Sequence, residues 1–208
     1  MPIAREGWPL VLLLLGLAAV LFLLRWPWTG GVLLVLGLFT AYFFRDPDRK
    51  VHTDAHLELS PADGTGIVAG PAPAGNPMGE GAIQVSVFLS IFDVHVNRAP
   101  VGGRISRVEY HEGEFLPAFR DKASLANEQN SVTIDDGGRT VTFKQIAGLI
   151  ARRIVFKKKV GDAVGAGERV GMIKFGSRVD VFLPRDVRLR VKKGDRVVAG
   201  VSVLGERP

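Results

Sequence analysis

Cysteine is missing from all 208 residues. Disulfides, thiolate nucleophiles and cysteine metal sites are thereby excluded, while compartment stays open. No metal site is expected. Low-complexity sequence is also missing, and the charged fraction, 23%, is that of an ordinary folded domain. Beyond about residue 45 almost no stretch carries a helical period, which sets aside a helical bundle for most of the chain. The net charge of +6 fits either nucleic acid or an anionic membrane surface. The N-terminal region favours the membrane, and no nucleic-acid partner is expected.

Residues 9–24 are almost wholly apolar, and a second apolar run occupies 31–44. Between them lie Arg25-Trp26-Pro27-Trp28-Thr29-Gly30. Proline and glycine break a helix, so this region is expected to form a helical hairpin. Each arm is roughly 15 residues, about 22 Å as a helix, against a hydrocarbon core of ~30 Å. It would span a thinned bilayer or dip into one leaflet. All three tryptophans, Trp8, Trp26 and Trp28, lie at the ends of the runs, as in an interfacial belt. Arg5 precedes the first arm, Arg45, Arg49 and Lys50 follow the second, and the turn carries Arg25 alone. That bias puts both termini on the cytoplasmic side. A cleaved signal peptide and a buried core hairpin are the alternatives.

From about residue 45, short Val/Ile/Phe runs alternate with Gly, Pro and Asp. Candidate strands are 66–69, 83–90, 103–109, 131–135, 140–146, 151–156, 169–174, 180–183 and 188–192. One short helical turn is expected near 122–128. The fold class is mainly β, a β-rich α+β chain. Two segments share the pattern G-D-x-V-x-A-G, at 161–167 and 194–200. Such a repeat suggests a pseudo-twofold, lipoyl-like barrel-sandwich domain behind the hairpin. It raises a rival, a swinging-arm carrier, which needs an exposed lysine at a hairpin tip. Between the copies Met172-Ile173-Lys174 comes nearest to this, but Lys174 lies in an apolar strand.

After Lys174 comes Phe175-Gly176-Ser177-Arg178. Most Gly-Ser pairs are turns. A serine hydroxyl can nevertheless attack the preceding carbonyl, and glycine there tolerates the strained backbone this needs. Elimination from the ester frees a carboxylate on Gly176, and hydrolysis leaves a pyruvoyl group at Ser177, a carbonyl electrophile that needs no bound cofactor. The step requires a base and an orienting carboxylate. Of the four histidines, only His95 is embedded between apolar runs, where it is either a satisfied structural residue or a functional one. Asp63 lies in Ser60-Pro61-Ala62-Asp63-Gly64, which also suits an ordinary turn.

Three motifs, S-P-A-D-G at 60–64, F-D-V-H-V-N-R-A-P at 92–100 and F-G-S-R-V-D-V-F-L-P at 175–184, together resemble the phosphatidylserine decarboxylase family in its short, membrane-hairpin form. F-F-R-D-P-D-R at 43–49 and K-A-S-L-A-N-E-Q-N at 122–130 fit as well. The similarity runs in order from the hairpin almost to the end. It implies that Asp63, His95 and Ser177 form a self-processing triad and that the chain is cut between Gly176 and Ser177. It implies a β chain of residues 1–176, an α chain of 177–208 and a covalent pyruvoyl group derived from Ser177. Longer members carry Leu-Gly-Ser-Thr at the cut; here Phe175 and Arg178 flank the Gly-Ser pair.

The implied reaction is decarboxylation of phosphatidylserine to phosphatidylethanolamine and CO2 through a Schiff base, with His95 as proton donor. Arg98 and Arg178 are candidate substrate-binding residues. The domain division expected is a membrane-associated hairpin at 1–46 and a catalytic domain at 47–208, on the cytoplasmic face of the cell's inner membrane. Arg45, Arg49, Lys50, Arg152, Arg153 and the lysines at 157–159 would face anionic head groups. The product would be a heterodimer of its own α and β chains, with further oligomerisation open. A serine-bearing archaeal ether lipid, a soluble amino acid as substrate, and a lipoyl-like membrane adaptor without chemistry remain alternatives.

Overall fold

The computed structural model describes residues 2–208 apart from 53, 121, 150–152 and 175. The chain divides into two compact units, Met1–Asp48 and Arg49–Pro208.

In the first unit α1 (Trp8–Leu23) and α2 (Pro27–Phe43) form the hairpin. Each has proline in its first turn, where the missing N–H costs nothing and φ is already helical. The helices approach through small residues: a β-carbon on Gly37 would lie 2.7 Å from Leu15, and one on Gly30 3.3 Å from the Ala18 carbonyl oxygen. The open end is tied by Ala4 N–H to Phe44 O and Asp46 N–H to Pro2 O, both 2.8 Å. Leu12, Leu13, Leu23, Trp28, Val35 and Leu38 point outward and are exposed. The hairpin thus buries Ala18, Gly30 and Gly37 and leaves a large apolar surface exposed. The helices have 16 and 17 residues, and among the described residues none is long and apolar enough to cross a membrane.

The second unit is almost entirely antiparallel sheet, so the chain is mainly β, with 37% strand and 18% helix. Its strands are β1 (Leu57–Leu59), β2 (Gly64–Pro71), β3 (Ile83–Leu89), β4 (Val96–Arg98), β5 (Gly103–His111), β6 (Gln129–Asp135), β7 (Thr140–Ile146), β8 (Arg153–Phe156), β9 (Ala163–Val164), β10 (Arg169–Lys174), β11 (Ser177–Leu183), β12 (Arg188–Leu189), β13 (Arg196–Val197) and β14 (Val203–Glu206). One helical turn, α3 (Ala123–Ala126), precedes β6. Eight strands form a curled sheet in the order β13-β2-β3-β11-β7-β6-β5-β9, and two three-stranded sheets, β1-β14-β12 and β4-β10-β8, complete the unit.

The long strands fall where the Val/Ile/Phe runs predict them. The short ones, β1, β4, β9, β13 and β14, carry too few residues to show a period. Several boundaries are corrected: β2 covers 64–71 where 66–69 is expected, β12 ends at 189 and not 192, and residues 151 and 152 of the run expected at 151–156 lie outside the described residues. The run expected to start at residue 180 starts at Ser177, because β11 pairs with β3 from Ser177↔Leu89 to Leu183↔Ile83. β11 also pairs with β7 and is buried at all seven positions. Its Val179, Val181 and Leu183 join Val85, Val87 and Leu89 of β3 and Phe143 of β7 in the main core, each side chain contributing roughly 1.5–3 kcal/mol by leaving water. The opposite face holds buried polar groups: Gln84, Ser86, Thr142, Arg178 and Asp180.

The repeat in the sequence is a repeat in space. Gly161 and Gly194 have φ of 94° and 97°, Gly167 and Gly200 both 71°, and Gly64 and Gly103 both 153°. Their hydrogen bonds match: Gly161 N–H to Ile105 O and Gly194 N–H to Gly66 O, then Gly167 N–H to Ala99 O and Gly200 N–H to Ser60 O, all 2.8 Å. Segment 60–66 with 194–200 thus repeats segment 99–105 with 161–167.

Candidate active site

Gly176 has φ of +48°, in the left-handed region that penalises any side chain. It stands at the corner where the chain leaves β10 and enters β11. Ser177 is fully buried, and its Oγ has no hydrogen-bond partner among the described residues. A buried hydroxyl left unsatisfied costs about 1–3 kcal/mol, so its persistence is not explained by packing. Phe175 lies outside the described residues.

His95 is fully buried and immediately precedes β4. The pairing of Val96 with Met172 and a 3.4 Å bond from Ile173 N–H to His95 O set it beside the end of β10, a few residues before Ser177. Its Nδ1 lies 3.0 Å from the carbonyl oxygen of Asp93. A carbonyl only accepts, so Nδ1 carries the proton, and in the neutral ring the lone pair is on Nε2.

Asp93 was not singled out by the sequence, although the Asp-x-His spacing was there to be read. Its carboxylate accepts from Ser90 N–H and Ser90 Oγ, both 2.8 Å, and from Arg196 at 2.6 Å. Burial alone would raise its pKa, but the Ser90 bonds and Arg196 outweigh it and hold the carboxyl below its ordinary range. The residue whose backbone orients the imidazole is thereby held at both ends.

Asp63 precedes β2, which flanks β3 on the side away from β11. Its backbone is therefore about two strand spacings, ~10 Å, from that of Ser177. Its Oδ1 accepts from Ala199 N–H and its Oδ2 from Arg49, both 2.8 Å, and not from His95. Burial outweighs these two bonds and raises its pKa. Arg49, expected to face lipid head groups, is instead the cation on Asp63. Of the lysine run, Lys158 is paired with Glu168 at 2.6 Å. Arg152 lies outside the described residues.

Arg98 and Arg178 are both buried. Arg98 donates to Gly167 O at 2.9 Å and lies against Gly200, so it stitches the two repeat turns together. Arg178 faces Asp180, with Nε 2.5 Å from Oδ1. Its charge is balanced inside the protein by Asp180.

Beside Gly176 opens an apolar cavity of about 420 Å³, lined chiefly by Phe88, Ile91, Pro117, Phe119 and Leu149. Gly148, on the β7 side of the corner, touches the Gly176 carbonyl oxygen so closely that a β-carbon there would lie 2.2 Å from it. No local pattern in the sequence marks Gly148.

A left-handed Gly-Ser corner, a buried imidazole whose Nδ1 faces a carbonyl and an adjoining apolar cavity lie together at the head of β11. The comparisons give the family. The phosphatidylserine decarboxylase family model matches residues 36–205. A phosphatidylserine decarboxylase proenzyme of Solibacter usitatus is 47% identical over 208 residues, covering 100% of this chain and 98% of the relative. Proenzymes of the same name from Symbiobacterium thermophilum and Geotalea uraniireducens are 45% and 43% identical, covering 99% and 100% of this chain and 96% and 97% of their own lengths. The chain is an enzyme that belongs to the phosphatidylserine decarboxylase family.

Proposed function

We propose that this chain cuts itself between Gly176 and Ser177 and then decarboxylates phosphatidylserine to phosphatidylethanolamine. The observation that carries the reading is the buried, unpartnered Ser177 Oγ at the head of β11, directly after the left-handed Gly176. In the first step Oγ attacks the Gly176 carbonyl carbon, its proton passes to His95, and the C–N bond breaks to leave an ester and a free amine on residue 177. Removal of the Ser177 α-proton then expels the Gly176 carboxylate from the β-carbon. One water is consumed and one ammonia released as the resulting enamine becomes a ketone. The residues fit this product: Ser177 is fully buried and the corner adjoins an apolar cavity.

The carbonyl so formed, a pyruvoyl group on residue 177, supplies an electron sink for decarboxylation of an amine-bearing substrate. His95 holds the proton that is returned to the substrate carbon, its ring oriented by Asp93 O. Asp63, held by Arg49 and the Ala199 N–H, is assigned as the third member of the self-processing set. The cavity lined by Phe88 and Phe119 offers an apolar wall beside the reacting group. We assign 1–46 as a membrane-associated hairpin and 47–208 as the catalytic domain at the cytoplasmic face of the inner membrane. A diacyl substrate stays in the bilayer, and the exposed leucines of α1 and α2 suit that solvent.

Denaturing mass analysis tests the cut. Two chains, 1–176 and 177–208, are expected, the smaller blocked at its N-terminus, with Ser177→Ala remaining one chain of 208 residues. Fully active protein that is a single intact chain sinks the proposal. Assays on defined phosphatidylserine and on its ether-linked archaeal counterpart identify the lipid.

A further inference from the structure

Before a cut at Gly176, Ser177 is held from both sides; afterwards its N-terminal side is loose, and strand ends fray. The first anchored side chain is that of Arg178. Nε donates to Asp180 Oδ1 at 2.5 Å, Nη2 to Ser86 Oγ of β3 at 2.9 Å, and Nη1 reaches Arg120 O at 3.5 Å. The other carboxylate oxygen of Asp180 accepts from Ser124 Oγ of α3 at 2.5 Å. Arg178, Asp180 and Ser86 are all essentially inaccessible, at 2%, 0% and 0% exposure. One ion pair therefore joins the head of β11 to β3 and to the stretch 117–120 and α3, which supplies Pro117, Ala118 and Phe119 to the cavity wall.

We propose that Arg178 is a positioning residue: with Asp180 it clamps the newly cut terminus of the α chain and the wall of the adjoining apolar cavity to one another. This rests on the cut proposed above. Guanidinium chemistry suits the task, because a planar fork reaches three acceptors at fixed angles where an ammonium is a single point. A lipid phosphate on Arg178 would have to displace the fully buried Asp180, which the clamp reading does not require.

The test uses the full-length protein in detergent and a dispersed short-chain phosphatidylserine. The double variant Arg178→Met/Asp180→Asn removes both buried charges, so the fold is retained where the single variant risks losing it. Processing and melting close to wild type are expected, with kcat down about tenfold or more and KM changed less than about threefold. Arg178→Lys alone is not expected to restore kcat. Ser124→Ala, which opens only the arm to α3, should speed amide exchange in 117–120 and α3 of the cut protein and lower kcat about threefold. A tenfold rise in KM at unchanged kcat means instead that Arg178 binds the lipid, and unchanged kcat with unchanged exchange also overturns the clamp. An uncut wild-type chain refutes the parent reading, and is seen separately by mass.

Discussion

Gly148 presses its α-carbon against the carbonyl oxygen of Gly176, leaving no room for a β-carbon, which would sit 2.2 Å from that oxygen. The carbonyl proposed to be attacked is thus backed by bare backbone. Gly148→Ala is expected to push the Gly176 carbonyl out of line and slow self-cleavage at least tenfold, since a small misplacement of reacting atoms costs about that or more. A gel time course of freshly synthesised protein reads the precursor directly. Cleavage at the wild-type rate would show that the close approach is incidental.

Asp93 and Arg196 give a pH signature. The Asp93 carboxyl is held below its ordinary value of 3.8. A depressed carboxylate contributes stability that is complete above the unfolded pKa and lost as pH falls through the lower folded one. Arg196→Met removes one of the groups lowering it, so the variant should be less stable at neutral pH and lose less on acidification, its acid limb being the shallower. Denaturant titrations of both proteins between neutral and acid pH measure this. Superimposable acid limbs would mean that Ser90 alone holds Asp93.

The repeat makes a prediction by symmetry. Gly102 stands in one copy where Asp63 stands in the other, and a β-carbon on Gly102 would lie 3.4 Å from Ala166 N, the counterpart of the Ala199 N–H that Asp63 accepts. Gly102→Asp should therefore make the missing bond and change stability by about +1 kcal/mol, with self-cleavage untouched. A lower melting temperature would show that the two halves differ in more than this residue.

Arg207 ties the last residues of the proposed α chain to Glu58, at 2.5 Å, and to Asp136. Glu58 is fully buried, and burial raises its pKa despite Arg207. Arg207→Met leaves that carboxylate uncompensated, an expected loss of about 3–5 kcal/mol at neutral pH. The loss should shrink as pH falls, because a proton neutralises Glu58 in place of the arginine. A deficit that is flat with pH would contradict this account.

Much of the site was legible because its residues sit in short local motifs. Ser177, Gly176, His95 and Asp63 each stand out through a neighbour: glycine before serine, apolar runs around a histidine, proline and glycine around an aspartate. The long strands were legible for the same reason, since an apolar run carries its own period. The partners of Arg49, Arg178 and Arg98 could not be read, because an arginine's partner is not written beside it. Arg49 and Asp63 are 14 positions apart, Arg98 and Gly167 are 69, and which charge meets which depends on strand register.

The sequence by itself determined the hairpin, the mainly β class, the paired turns, the family and the Gly-Ser bond at which chemistry is proposed, because these follow from apolar pattern, glycine placement and motif order. Tertiary structure alone decided that the Asp93 carbonyl orients His95, that Arg178 faces Asp180 and that Gly148 backs the Gly176 carbonyl. Each of these is a meeting of chain segments brought together by sheet pairing and burial, and in a buried site the nearest group, not the nearest residue in the chain, sets charge, tautomer and reach.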